Sequence, residues 1–335
     1  MARSPLTLAA LATSAVPDLD VAGAGAFGSR SSRDPVGFDQ ALLLAADGDT
    51  LVVRVPRARS AELRATTDLA ALRALSTGIR SRLPFSVPSP VGETPFAGTR
   101  AVVYNYLEGE TLSLPSLLAA TPLTDSIGRA LAALHGLPTS FIADSGLPTM
   151  RASDSLAGVL DVMERATATG LVPMGLVERW ERATDDTALW QFAPTVINAT
   201  LTADSLIRQG ERITGIVDWH GLSVGDPATD LSFVLGAPDA AVAESIFASY
   251  LKARGSSDRL VIKRARLYAE LEVAKWLLHG TERRSTEIVD DAVKMLHNLV
   301  DLVQYDANRS IDTDTRPVMT VREVEDMLDE AERRS

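Results

Sequence analysis

Short apolar runs crowd the first hundred positions, and apolar residues at helical spacing fill most of the remaining chain, so the pattern predicts a β-rich segment ahead of a larger helical one. Ser4 reads as an N-cap and Pro5 as the first helical residue; Leu6, Leu8, Leu11 and Val16 then form an amphipathic face that Pro17 closes. Within 36–56, QALLLA and TLVVRV are separated by DGD, an Asp-Gly turn signal, and predict a β-hairpin. Residues 60–76 place Leu63, Leu69, Leu72 and Leu75 at helical spacing behind a Ser60 cap and Glu62. A Pro-punctuated stretch, LPFSVPSPVGETPFAGTR, leads to AVVYNYLEG, a strand that ends at Gly109.

Beyond Gly109 the pattern turns helical: LPSLLAA, then LTDSIGRALAALHGL with Ile127, Leu131 and Leu134 on one face, then SDSLAGVLDVMERATATG and VERWERATDD. Strand signals return at PTVINA, SLIRQ and ITGIVDW, the last two joined by a GE turn. Long helices fill Pro227 to Tyr305. This order predicts three parts: a β-rich lobe over 1–108, a helical lobe over 109–305, and a polar tail over 306–335. In the tail, 306–319 reads as loose and VREVEDMLDEAERR as a terminal helix, either a fraying end or an element that binds a protein partner.

Composition narrows the function classes. The 335 residues are 46% hydrophobic and 23% charged, enough to bury a sizeable core. Net charge is -11, from 44 acidic against 33 basic residues, and no basic stripe with interleaved aromatics is present, so nucleic acid is not expected as a partner. The chain has no cysteine, which excludes disulfides, thiolate catalysis and cysteine-based zinc sites and fits a cytoplasmic location. The opening MARSPLTLAALATSAVP carries one Arg and a short apolar run, and reads as a first helix rather than a secretory signal. No apolar run reaches the roughly 20 residues of a membrane span, so no membrane association is expected.

Two local motifs match familiar patterns without their context. GAGAFG at 23–28 satisfies GxGxxG, but SRSSRDPVG comes next and cannot open the helix a dinucleotide site needs. It reads as a glycine-rich loop, lying over nucleotide phosphates or simply on the surface. GLSVG at 221–225 matches the GxSxG nucleophile elbow, with His279 and His297 downstream. Here Asp226 and Pro227 place the next helix start three positions too late, and the parallel strands of a hydrolase are missing upstream. Trp190, Trp219 and Trp276 read as core residues, His135 as a satisfied packing residue, and no histidine pair has zinc-ligand spacing.

A third constellation is spread across the chain. Arg54 lies in a hairpin strand, where a cation can reach nucleotide phosphates, and Asp68 lies on the following helix, where it can pair with that cation. Asp218 ends the strand ITGIVD, where a carboxylate can bind Mg²⁺ as a hard oxygen ligand.

Order and spacing together resemble the aminoglycoside and macrolide phosphotransferases, closest to the macrolide branch, from about residue 20 to about 300. GFDQALLLAADGDTLVVRVPR is similar to that branch's glycine loop and third strand, Asp68 falls at the acidic position of the next helix, and VVYNYLEGETL resembles the hinge between the lobes. LAALHGLP and ITGIVDWHGLSVGDPATDL continue the likeness. The resemblance implies an α+β, bilobal, protein-kinase-like fold with a small β-rich N-lobe and a larger, mostly helical C-lobe. It also implies a site for ATP or GTP with Mg²⁺, in which Arg54, Asp68, Asn105 and Leu107 contact nucleotide and Asp218 binds metal. Asp226 and Asp230 take positions in a structural turn and helix cap.

One loop departs from that family. Ungapped alignment of WQFAPTVINATLTADSLI puts Asn198 at the family's His, Thr200 at its catalytic Asp and Ser205 at its second metal ligand. A Thr hydroxyl cannot accept a substrate proton near neutral pH as a carboxylate does, and a neutral Ser is a poor Mg²⁺ ligand. Asp204 stands four residues on as a substitute base if the loop shifts. The expectation is a pseudokinase that binds a nucleotide and a small hydroxylated or cationic molecule. The alternatives are a slow ATP- or GTP-dependent phosphotransferase and a scaffold without nucleotide binding.

Overall fold

The computed structural model describes residues 3–27, 37–255 and 258–313. The first helix, α1 (Pro5–Ala15), starts as its sequence dictates, with the Ser4 hydroxyl accepting the Thr7 N–H. Strands β1 (Val21–Ala26), β2 (Phe38–Ala45) and β3 (Thr50–Pro56) precede helices α2 (Arg59–Ala74) and α3 (Thr77–Arg80); β4 (Pro90–Phe96) and β5 (Thr99–Asn105) come after them. The five strands make one antiparallel sheet in the order β1-β2-β3-β5-β4. Strand alternation divides β5 between two cores: Ala101 and Val103 pack with Leu8 and Ala12 of α1, whereas Val102 and Tyr104 join Leu69 and Leu72 of α2.

Three expectations for this region change. The Pro-punctuated stretch contains β4, a strand tolerated because it is the sheet's edge, where a Pro without an N–H breaks no ladder. The glycine stretch is not a loop over 23–26 but the opposite edge strand, β1, while Gly28 lies outside the described residues. The helix expected from a Ser60 cap begins two residues earlier, at Arg59 behind Ala58, with no side-chain cap. Gly92 of β4 meets the end of α1: a Cβ there would lie 2.3 Å from the Ala15 carbonyl oxygen.

The larger, mostly helical portion contains β6 (Glu110–Thr111), α4 (Pro122–His135), α5 (Ser140–Asp144), α6 (Ala152–Thr167) and α7 (Met174–Asp185). Next come β7 (Thr195–Asn198), β8 (Leu206–Gln209), β9 (Arg212–Ile216) and β10 (Leu222–Gly225), then α8 (Ala228–Leu231), α9 (Ala240–Arg254), α10 (Val261–Arg283) and α11 (Thr286–Thr313). LPSLLAA, expected as a helix, supplies only a single 3-10 turn at Leu114–Ser116. Thr121 caps α4 reciprocally with Thr124, and Ile127, Leu131 and Leu134 are buried as their spacing requires. Two small antiparallel sheets, β7 with β10 and β6-β8-β9, carry the loops that bear Thr200 and Asp218. Among the described residues no helix is long and apolar enough to cross a membrane.

Among the described residues, chain packing separates two compact units, one drawn from the chain up to 160 and from 183–269, the other from 161–182 and from 270 to 313. Within the second, Glu270 accepts Arg179 through both oxygens and the Trp180 indole N–H at 2.9 Å. Trp276 corrects the core expectation: it is partly exposed, stacks on His279 and donates to Asp291, whereas Trp190 and Trp219 are buried. Helix α11 continues past 305 to Thr313, through the start of the stretch expected to be loose; the terminal helix over 320–334 lies outside the described residues.

Candidate functional site

The site is built around a backbone conformation that an L-residue rarely adopts. Strand β9 stops at Ile216, and Asp218, two residues on, has φ 60°. Such a conformation costs of order 1–3 kcal/mol and persists only when neighbours over-determine it. Three contacts do so: the Val217 N–H donates to the Ser205 carbonyl at 2.9 Å, the Asn198 side-chain amide to the Asp218 carbonyl at 2.9 Å, and the Trp219 N–H to Asp68 Oδ1 at 2.7 Å.

Asn198, at the end of β7, is itself fixed. Its N–H donates to Asp230 Oδ2 at 2.7 Å; that oxygen lies 3.2 Å from His135 Nε2, and His135 Nδ1 lies 2.8 Å from the Tyr250 hydroxyl. His135, Asn198 and Asp230 are buried, so the polar chain is sealed from solvent; Asp230 Oδ2 carries both of its contacts, while Asp230 Oδ1 meets no hydrogen-bond partner among the described residues. His135 is thus the satisfied packing residue expected of it. Asp226 takes its turn role, accepting the Ala228 N–H at 2.9 Å, and also holds Arg264 and Tyr268. Asp230 is not a cap; from inside α8 it reaches across to β7.

Arg54 projects from β3 over the Phe38 ring, and its Nη1 lies 3.3 Å from Asp218 Oδ1. The hydrogen-bonded partner is therefore Asp218 rather than the expected Asp68. Burial works against the Arg54 charge, but Asp218 and Asp68 outweigh it and hold the group protonated above its ordinary range. Asp68 goes the other way: burial pushes its carboxyl up to about 6, although Arg54 and the Trp219 N–H oppose the rise. His220 is held below its usual range by burial and by Arg64, against the pull of Asp218.

The other residues singled out from the sequence occupy less committed settings. Thr200 is exposed; its hydroxyl donates weakly to Asn198 Oδ1 at 3.4 Å. It backs onto Gly221, where a Cβ would lie 2.7 Å from the Thr200 hydroxyl oxygen. Asp204 is exposed in a 3-10 turn, Ala203–Ser205. Ser205 is buried and its hydroxyl is taken up with Thr202, accepting the Thr202 N–H at 3.3 Å, so it is not presented as a metal ligand. Asn105 ends β5 with its carboxamide oxygen on the Ser89 N–H, and Leu107 packs against Gly215. Among the described residues no three His, Asp or Glu side chains gather as a ligand set. Asp218, already paired with Arg54, is a single carboxylate; the donor set does not fit a metal held by protein groups alone.

Arg54, Asp68 and Asp218 line one cleft together with Phe38, Arg64, Ala65, Val102, Tyr104 and His220. Sequence reading missed Arg64 and His220. The signal for Arg64 was present, since it stands four residues before Asp68 and so on the same helix face. Ser223, the candidate elbow nucleophile, lies in the middle of β10 opposite Ile197, and its hydroxyl donates to the Gly221 carbonyl; no strand-to-helix elbow exists there.

A five-stranded antiparallel sheet bearing a cation, a helix with a facing carboxylate and a larger helical portion with a post-strand aspartate define a kinase-like protein. The chain belongs to the phosphotransferase enzyme family, which its residues 33–263 match. It is 32% identical to YcbJ of Bacillus subtilis (strain 168) over 210 residues, 59% of this chain and 67% of that protein. In structure it is similar to macrolide 2'-phosphotransferase MphH from Brachybacterium faecium, with TM-score 0.69, 22% identity and 87% and 96% of the two chains covered. It is also similar to aminoglycoside 2'-phosphotransferase-IIIa, solved as a GDP complex, with TM-score 0.70, 17% identity and 88% and 98% covered.

Proposed function

We propose that the protein is a pseudokinase of this family, a nucleotide-binding protein that has lost its catalytic base. The observation that carries the reading is Thr200: the residue aligned with the catalytic carboxylate is an exposed hydroxyl backed against Gly221, with the Asn198 carboxamide as its polar partner. A general base contributes roughly 10²–10⁴-fold, and small-molecule kinases of this chemistry work at about 1–100 s⁻¹, so its loss leaves about 10⁻⁴–1 s⁻¹ at most. What supports retained binding is the cleft: Arg54 can meet phosphate oxygens, and the hinge carries Leu107, whose main-chain N–H meets no acceptor among the described residues. Mg²⁺ in this reading is carried chiefly by the nucleotide phosphates, with Asp218 as one ligand. The second ligand is a small hydroxylated or cationic molecule, the class represented by kanamycin and gentamicin in complexes of similar phosphotransferases.

A second reading, a slow ATP- or GTP-dependent phosphotransferase, is favoured by the exposed carboxylate of Asp204 close behind Thr200 in the chain. A scaffold that binds no nucleotide has the weakest support, given the intact Arg54, Asp68 and Asp218 constellation. Thermal-shift titration with ATP and GTP, with and without Mg²⁺, on wild type and Asp218→Ala separates them. Stabilisation by a nucleotide with phosphate release below about 10⁻² s⁻¹ in the presence of aminoglycosides or macrolides is the expected result. Acceptor-dependent phosphate release above that rate would establish the second reading, and no stabilisation by either nucleotide would leave only the scaffold.

A further inference from the structure

Arg64 has no role in the polar network that positions Asp218, yet it stands in the same cleft as Arg54. Both come from different elements, Arg54 from β3 and Arg64 from the second turn of α2. The Nε of each is enclosed and has no hydrogen-bond partner among the described residues. The two carboxylates nearby leave both Nε donors unmet: Asp218 Oδ1 takes Nη1 of Arg54, not its Nε, and Asp68 Oδ1 takes the Trp219 N–H. An enclosed guanidinium donor left unmet is costly, so two of them lining one opening make a place where an acceptor with several oxygens is stabilised. Phe38 and Tyr104 wall the same opening and lower its effective dielectric, which strengthens any charge-assisted hydrogen bond formed there.

We propose that Arg64 and Arg54 form a two-guanidinium anion clamp, with Arg64 as a phosphate-binding residue that selects a polyphosphate over a singly charged ligand. The proposal rests on the nucleotide-binding reading for the source of the phosphates, but the clamp itself asks only for a compact anion with adjacent acidic groups. Guanidinium is suited to that task because its planar fork meets two phosphate oxygens at once, whereas an ammonium acts as a point charge. In a chain of net charge -11 the clamp also supplies the local attraction that a free polyphosphate needs to enter.

The test uses inorganic tripolyphosphate in the presence of EDTA, followed by ATP, GTP and the unphosphorylated nucleosides, titrated calorimetrically into wild type, Arg64→Gln and Arg64→Lys. Wild type is expected to bind tripolyphosphate; Arg64→Gln should weaken it about 10- to 100-fold and Arg64→Lys less, with equal melting temperatures showing that the fold is intact. Nucleoside affinity should not change in either variant. Equal tripolyphosphate affinity in wild type and Arg64→Gln overturns the clamp, as does no tripolyphosphate binding to wild type. Nucleotide binding that ignores Arg64 overturns the clamp and leaves the nucleotide reading standing. Arg64-dependent tripolyphosphate binding with no gain from a nucleoside does the reverse.

Discussion

Asp68 on α2 accepts the main-chain N–H of Trp219 at 2.7 Å, tying the helix beside the N-terminal sheet to the segment just after Asp218, 151 residues further along the chain. The bond orients the strained turn at Asp218, and it uses a carboxyl oxygen at a place where burial penalises the charge.

That penalty gives a pH dependence with a definite sign. The folded-state value of about 6 lies above the ordinary 3.8, so the folded protein holds this proton more tightly than the unfolded chain. The group's contribution to stability is therefore fully present below about 3.8 and lost as pH rises through about 6. Asp68→Asn keeps an oxygen for the Trp219 N–H and removes the buried charge. It should be more stable than wild type by about 1–3 kcal/mol at pH 8, with the difference shrinking towards pH 4.5. Urea unfolding of both proteins at the two pH values measures this, and a pH-independent difference would show that Asp68 is ionised throughout.

Placing a carboxylate at position 200 tests directly the proposal that the catalytic base is lost. Thr200 is exposed, so Thr200→Asp buries no charge, and its stability should match wild type within about 0.5 kcal/mol. Nucleotide-dependent phosphate release in the presence of an aminoglycoside or macrolide acceptor should rise by about 10²–10⁴-fold. An unchanged rate in a folded, nucleotide-binding variant would mean that the base is not what limits this protein.

Arg264 is the polar anchor beneath α8. It is 1% exposed, gives two hydrogen bonds to Asp226 at 2.7 and 3.0 Å, and reaches Asp258 and the Leu189 carbonyl. Removing one side of a buried pair leaves the other charge uncompensated, so Arg264→Ala should cost about 3–5 kcal/mol. The double variant Arg264→Met with Asp226→Asn should recover part of that loss. Denaturant midpoints of wild type and the two variants check both statements, and a double variant no more stable than Arg264→Ala would show that the pair is not coupled.

Much of this architecture is legible in the chain where local chemistry agrees with the tertiary result. The α1 cap, the Asp-Gly hairpin and the α4 periodicity each specify one outcome. Strands β1 and β4 were not legible because glycine and proline punctuate them, and only their places at the sheet edges make those residues acceptable. LPSLLAA misleads in the opposite sense: an apolar run without polar alternation fits a helix and an irregular segment equally well, and here only Leu117 is buried while Leu118 is exposed. At the site, the positions of Arg54, Asp68 and Asp218 could be read from order and spacing. Their pairing could not, since it depends on the φ of one residue, and neither could the occupation of the Ser205 hydroxyl by Thr202.

The polar chain from Tyr250 through His135, Asp230 and Asn198 to the Asp218 carbonyl braces the loop from beneath, and the Thr200 side chain hangs from that brace without supporting it. Position 200 is thereby uncoupled from the scaffold. On the proposed reading of Thr200, a change there can awaken chemistry and leave no mark on the melting curve, so a stability screen would pass over it.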